Sequence, residues 1–160
     1  MSARLPVAKL FPENAPREGE RMSKAWLDVL VDVPLFAELS RRNLAKVAAL
    51  GRTKRFPART SIVTAGTNAD AFYIILDGKA RVRAGNRRIP LETGDYFGEM
   101  ALLDGGVRSA SVVADTEMLV MAIPRRGFLK LLESEPKIAI SIMGTLANRV
   151  RSMQATSSSV

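Results

Sequence analysis

Gly94-Asp95-Tyr96-Phe97-Gly98-Glu99-Met100-Ala101-Leu102-Leu103-Asp104-Gly105-Gly106-Val107-Arg108-Ser109-Ala110-Ser111 interrupts a region that otherwise reads as short strands. Glu99 to Leu103 are helix-forming residues, entered through Gly98 and left through Gly105-Gly106, and Arg108 stands at the head of the next strand. A short helix opening after glycine presents backbone N–H groups that have no partner within the helix, a ready site for an anion. Arg108 adds a planar, permanently charged fork that suits phosphate oxygens. Glu99 repels a phosphate, but its carboxylate accepts hydrogen bonds from a sugar hydroxyl. Helix start, arginine and glutamate in one loop describe a ribose-phosphate site. Taken singly, each residue also fits a plainer account: a surface ion pair stapling a loop, with ordinary turn glycines.

Upstream and downstream, between Thr53 and Ile123, runs rich in β-branched and aromatic residues alternate with turn residues. Ser61–Thr64 reads as a strand and Ala65–Asp70 as a turn cluster. Phe72–Leu76 is a strand, and Asp77-Gly78 predicts a hairpin with Ala80–Arg83 as its return strand. Gly85-Asn86 offers another turn, Ile89 and Leu91 alternate with polar neighbours, and Gly94-Asp95 turns again. Ser109–Ala114 and Met118–Ile123 are the last strands, joined at Asp115-Thr116. Short strands at near-regular spacing with glycine-rich turns indicate a barrel or sandwich.

Helices flank this region. Ser23 is placed to cap a short one with Trp26, Leu27 and Leu30 on its apolar face, broken at Val33-Pro34-Leu35-Phe36. Ser40 caps a second, with Leu44, Val47, Ala48 and Leu50 on one face and Gly51 at its end. After Pro124, Phe128, Leu131 and Leu132 mark a third, and Pro136 suits the first turn of a fourth. On that last helix Ile138, Ile142, Leu146, Val150 and Met153 recur at helical spacing, which predicts core packing. The expected organisation is a flexible leader over 1–24, one domain over 25–153 and a disordered tail over 154–160.

Composition narrows the chemistry. The 160 residues contain neither cysteine nor histidine, which removes disulfides, thiolate metal sites, cysteine nucleophiles and histidine general bases. No catalytic or metal-ligating set is expected, and the reading is of a protein that is not an enzyme. The net charge of +8 comes from scattered doublets (Arg41-Arg42, Lys54-Arg55, Arg87-Arg88, Arg125-Arg126), and aromatics are only 6%, so no stacking platform accompanies the charge. A solvated basic surface is the simpler account. The apolar runs Met118–Ile123 and Ile138–Met143 are too short to span a bilayer, and the apolar patch Leu5–Phe11 is interrupted by Lys9 with no cleavage site after it. The expectation is a cytoplasmic protein without a membrane partner.

The segment from Phe97 to Ala110 resembles the phosphate-binding cassette of the cyclic nucleotide-binding domain family. That family includes the cAMP-binding domains of the catabolite activator protein and of protein kinase A regulatory subunits. Its cassette reads Phe-Gly-Glu, a variable residue, Ala-Leu or Gly-Leu, a short loop, then Arg, a small residue and Ala. Here Phe97-Gly98-Glu99-Met100-Ala101-Leu102 and Arg108-Ser109-Ala110 match it without a gap. The resemblance covers roughly residues 26 to 153. It implies a mainly β fold with flanking helices: an eight-stranded β-barrel or jelly roll (a double-stranded β-helix) with N-terminal helices and two C-terminal helices.

For single residues it implies more. Glu99 accepts from the ribose 2′-hydroxyl, and Arg108 pairs with the cyclic phosphate, helped by the backbone N–H groups of Met100, Ala101 and Ala110. Gly98 lets the backbone approach the sugar, and Ser109 adds a hydroxyl contact to phosphate or base. Val82, Ile89 and Leu91 line the base pocket. In the catabolite activator the final helix dimerises and touches the base. The corresponding positions here fall near Met153 and Gln154, with Thr145, Asn148 and Arg149 as further polar candidates. The expected ligand is cAMP, with cGMP the second choice and no other cofactor. The expected partners are an effector protein of unknown identity and a second copy through the last helix. No DNA-binding module is expected in this chain, since a helix-turn-helix would need more residues than the few after Met153. An interaction module that keeps the fold with an altered or vestigial pocket is the competing reading.

Overall fold

The computed structural model describes residues 26–157. Helix α1 (Leu27–Leu30) and a 3-10 turn at Pro34–Phe36 lead into α2 (Arg41–Ala48). Ser40 caps α2 as its sequence predicts, its Oγ accepting from the Asn43 N–H at 3.2 Å. Ser23 lies outside the described residues.

Eight strands follow: β1 (Arg52–Phe56), β2 (Ser61–Val63), β3 (Ala71–Asp77), β4 (Ala80–Ala84), β5 (Arg87–Leu91), β6 (Tyr96–Phe97), β7 (Ser111–Ala114) and β8 (Met118–Pro124). Helix α3 (Glu99–Asp104) separates β6 from β7, and α4 (Arg125–Ser134) and α5 (Pro136–Ser157) close the chain. The strands form two antiparallel four-stranded sheets, ordered β1-β8-β3-β6 and β2-β7-β4-β5, and are not closed into a barrel. The fold is a jelly roll with flanking helices.

One turn differs from expectation. Asp77-Gly78 does not fold β3 back onto β4, because β3 pairs with β6 and β8 while β4 pairs with β5 and β7. The turn instead carries the chain from one sheet to the other, with Gly78 at φ +113° against the backbone of Glu117. Asp115-Thr116 makes the reverse crossing between β7 and β8. A tight hairpin lies at Gly85-Asn86, where Ala84 faces Arg87.

Side-chain alternation along β3 and β8 divides the interior in two. Phe72, Ile74, Leu76, Leu119, Met121 and Ile123 point towards the helices, where they meet Leu30, Phe36, Leu44, Val47, Phe128 and Ile138. Tyr73, Ile75, Met118, Val120 and Ala122 point the other way, towards Val63, Ala80, Leu91 and Val112 of the second sheet. The molecule thus has three layers: helices, first sheet, second sheet. Phe72 stacks on Phe128 with ring centroids 4.7 Å apart, tying the first sheet to α4.

The apolar stripe of helix α5 is buried only in its first half. Ile138 and Ile142 are buried, but Val150 and Met153 of the expected core stripe are 52% and 57% exposed, because the helix runs past the edge of the body. No described helix is long and apolar enough to cross a membrane.

Candidate functional site

Strand β6 pairs with β3 through Tyr73–Phe97 and Ile74–Tyr96, which sets Gly98 beside Ala71. Gly98 caps α3 with φ +93° and no side-chain cap, a left-handed conformation suited to glycine. A Cβ on Gly98 would fall 2.7 Å from Arg108 Nη1 and 3.2 Å from the Ala71 carbonyl. The chain therefore bends here against the guanidinium itself.

Arg108 is aimed by its backbone. Its N–H donates to Thr67 O at 2.8 Å, its carbonyl accepts from the Gly66 N–H at 2.8 Å, and Val107 bridges Asn68. The side chain is only 4% exposed. Nη1 donates to Gly98 O at 2.8 Å, and Nη2 donates to Ala71 O at 2.7 Å and to Asp70 Oδ1 at 3.3 Å. Its guanidinium carbon lies 5.8 Å from the centre of the Tyr73 ring. Burial, and then the nearby Asp70 charge, push the Tyr73 phenol above its ordinary pKa, with Arg108 opposing. Of the five N–H donors of a guanidinium, two are left for an anion once these three bonds are made.

Glu99 is 2% exposed, and Arg149 of α5 donates to its Oε1 from Nη1 at 2.9 Å. A buried carboxylate is tolerated only with such a partner. Gly98, Glu99 and Arg108 are thus gathered at one point, as their spacing suggests. Ala101 and Leu102 are buried and root α3, while Met100 is 46% exposed and faces outward. Ser109 is exposed and Ala110 half-buried.

Val82 and Ile89 stand directly opposite each other across β4 and β5, and Leu91 faces Ala80 two positions on, so all three share the inner face of the second sheet. Leu91 is buried and Val82 half-buried, but Ile89 is 42% exposed although it lies on an inward face. That stretch of sheet is open. Nearby, a cleft of about 410 Å³ lies between Leu35, Leu91, Tyr96, Thr145 and Arg149. It shares Leu91 and Arg149 with the site, but Arg108 does not line it. Its size suits a small ligand. Met153 and Gln154 are exposed on α5 and do not line this cleft.

Two partners were not anticipated from the sequence. Asp70 was legible only as a turn residue, and Arg149 only as a polar residue on the last helix. Each acts on a side chain 38 or 50 residues away, beyond any local periodicity.

A family model, the cyclic nucleotide-binding domain, matches residues 53–135. The chain belongs to the cyclic nucleotide-binding domain family. It is 38% identical over 118 residues to the cAMP-dependent protein kinase regulatory subunit of Aspergillus niger, covering 72% of this chain and 28% of that protein. The chain thus spans under a third of the length of that relative. Among solved structures, it resembles PKAR CBD2 bound to Sp-2Cl-cAMPS with a TM-score of 0.73 at 26% identity, covering 82% of this chain and 90% of the other. It also resembles the Thermus thermophilus catabolite activator protein with a TM-score of 0.70 at 31% identity, covering 77% and 61% respectively. In this cyclic nucleotide-binding domain the segment that resembles the family's cassette comprises β6, α3 and the loop to Arg108.

Proposed function

We propose that this domain binds a cyclic nucleotide, cAMP in preference to cGMP, and signals without turnover through movement of α5. The observation that carries the reading is the pair of buried charges at the cassette. Glu99 and Arg108 are 2% and 4% exposed, and the second is held at the backbone of Gly98, next to the first. Arg108 would hold the cyclic phosphate with its remaining donors, and Glu99 the ribose 2′-hydroxyl. Met100, Ala101 and Ala110 would add backbone N–H groups, and Ser109 its hydroxyl. Val82, Ile89 and Leu91 would receive the base. The preference for cAMP is supported by the Aspergillus niger regulatory subunit and the PKAR CBD2 structure, whose names carry cAMP or its analogue.

Signalling follows from a shared carboxylate. Arg149 of α5 and a ribose hydroxyl address the same Glu99, so a ligand there biases where α5 sits. Isothermal titration with cAMP and cGMP, with hydrogen exchange on α5 in parallel, tests this. Binding with altered exchange over residues 141–154 is expected. Absence of binding to either nucleotide would leave the interaction-module reading in its place.

The outer face of α5 presents Ile140, Met143 and Val150, 63%, 57% and 52% exposed, at the 3- and 7-residue spacings of a helical seam. A second copy would bury it. Light scattering should show a dimer that Met143→Glu converts to a monomer. A monomeric parent protein would dismiss the seam.

A further inference from the structure

The hairpin of β4 and β5 carries Arg81, Arg83, Arg87 and Arg88 and no acidic residue. Register separates them. Arg87 faces Ala84 on the inner side, while Arg83 stands directly opposite Arg88 and Arg81 opposite Pro90 on the outer side. Like charges directly across a ladder destabilise a sheet. Among the described residues the row has one ion pair, Arg81 Nε to Asp115 Oδ2 at 3.5 Å, and Arg83 and Arg88 have none. Arg88 folds back over its own turn, donating to Gly85 O at 3.3 Å and Arg87 O at 3.4 Å. Such long bonds are easily exchanged for better ones. Strand β5 is the edge of its sheet, and beyond the turn a Cβ on Gly85 would meet nothing within 4 Å. The row is open to a partner.

We infer that this outer face docks an extended acidic segment of a partner protein. Arg81 and Arg83 are two residues apart on one strand, about 7 Å, the same repeat that alternate carboxylates have on an extended chain. The planar guanidinium pairs with carboxylates two bonds at a time. Pro90 removes a backbone donor from the β5 edge, so side chains rather than an added ladder make the contact. A nucleic acid fits less well, because the hairpin has no aromatic residue and three cations cover far less than the roughly 600–1,000 Å² of a single nucleic-acid-binding module. A lipid surface fits less well too, since the residues beside the arginines on this face are Pro90, Ser111 and Val113, without a large apolar anchor. The inner face of the same hairpin bears Val82 and Ile89, so the docked segment lies one sheet thickness from the proposed base pocket.

The test is fluorescence anisotropy with a labelled peptide of alternating Glu and Ser, at physiological salt. Arg83→Gln combined with Arg88→Gln should weaken binding by about tenfold or more. Arg125→Gln combined with Arg126→Gln, another exposed doublet, should leave it within about twofold. The hairpin variant should unfold no earlier in urea than the parent protein, since it relieves repulsion, and should keep its cAMP affinity. Equal weakening by both double variants would reduce the effect to net charge and overturn the inference. So would absence of peptide binding, or tighter binding to phosphatidylserine vesicles or a single-stranded oligonucleotide than to the peptide. Because the readout is the peptide, failure here leaves the Arg108 assignment standing, and failure of cAMP binding leaves this one.

Discussion

The two sheets are built from the same kind of strand but live in different surroundings. In the first, β3 is buried from Ala71 through Leu76 and β8 from Met118 through Ile123, without alternation, because helices cover one face and the second sheet covers the other. In the second, β4 alternates between inward and exposed positions, and β5 is exposed over Arg87–Pro90. A sheet covered on both faces reads as a continuous apolar run, and one half-open to water does not. The first sheet is therefore an enclosed scaffold and the second stands half-open to water. The segment from Phe97 to Arg108 spans them: Phe97 pairs with Tyr73 of β3 in the scaffold, and β7, just beyond Arg108, belongs to the half-open sheet.

The largest expected effect tests that division directly. Phe72 is fully buried between Phe128 and Tyr96, and Phe72→Ala should destabilise the domain by about 3–5 kcal/mol. Val82→Ala, on the half-open sheet, should cost below about 1.5 kcal/mol. Urea unfolding of the two variants measures the gap. Equal losses would mean the second sheet is as much core as the first.

Arg108 comes next. Removing it entirely confounds two roles, since Gly98 O and Ala71 O would lose their donor in a buried place, at about 1–3 kcal/mol. The fold would then not be left intact, as a purely ligand-facing arginine would allow. Arg108→Lys keeps the charge and loses the fork. It should lower cAMP affinity by about ten- to a hundredfold, the loss of one charge-assisted bond of about 1.5–3 kcal/mol, while the unfolding midpoint moves less than for Arg108→Ala. Calorimetry showing unchanged affinity would remove Arg108 from the site. Gly98→Ala sits one step below. Its strained φ and the approach to Arg108 Nη1 predict about 1–3 kcal/mol of destabilisation, with cAMP binding weakened in parallel because the guanidinium must shift.

Much of this was legible in the residues, and the limits are instructive. Ser40 as a cap, Pro136 at a helix start, the turn at Gly85-Asn86 and the helix from Glu99 depend on contacts within a few positions, and local rules reach that far. The gathering of Gly98, Glu99 and Arg108 was legible because one contiguous motif carries all three. Asp77-Gly78 was misread because a glycine turn says that the chain reverses, not which sheet the next strand joins. That choice was made by the apolar faces of β3 and β8, which pair strands more than 40 positions apart in sequence. The same holds for Arg149 on Glu99 and Asp70 on Arg108: each is a charge that only tertiary packing brings to its partner. The α5 stripe was half right, since helical spacing marks an apolar face but not how far the body extends beneath it.

The smallest expected effect lies at Tyr96, where scaffold, cassette and α5 meet. Its hydroxyl is buried and finds no hydrogen-bond partner of good geometry, although Thr145 lies close enough to favour its ionised form. Burial raises the phenol above its ordinary pKa of 10.0, opposed by Thr145 and supported by the charge of Glu99. The folded state therefore prefers the neutral phenol. Below about pH 10 both states are neutral and nothing is lost; above it the unfolded chain releases its proton first, and stability falls until the folded phenol also ionises. Tyr96→Phe should be neutral or slightly stabilising at pH 7, within about 1 kcal/mol, because it deletes an unpaired buried hydroxyl. It should also flatten the decline of the urea midpoint above about pH 10, with Tyr73, whose phenol is raised as well, contributing to the slope that remains. A variant that loses stability at neutral pH would show instead that the hydroxyl is bonded, and that Thr145 fastens α5 to the cassette through it.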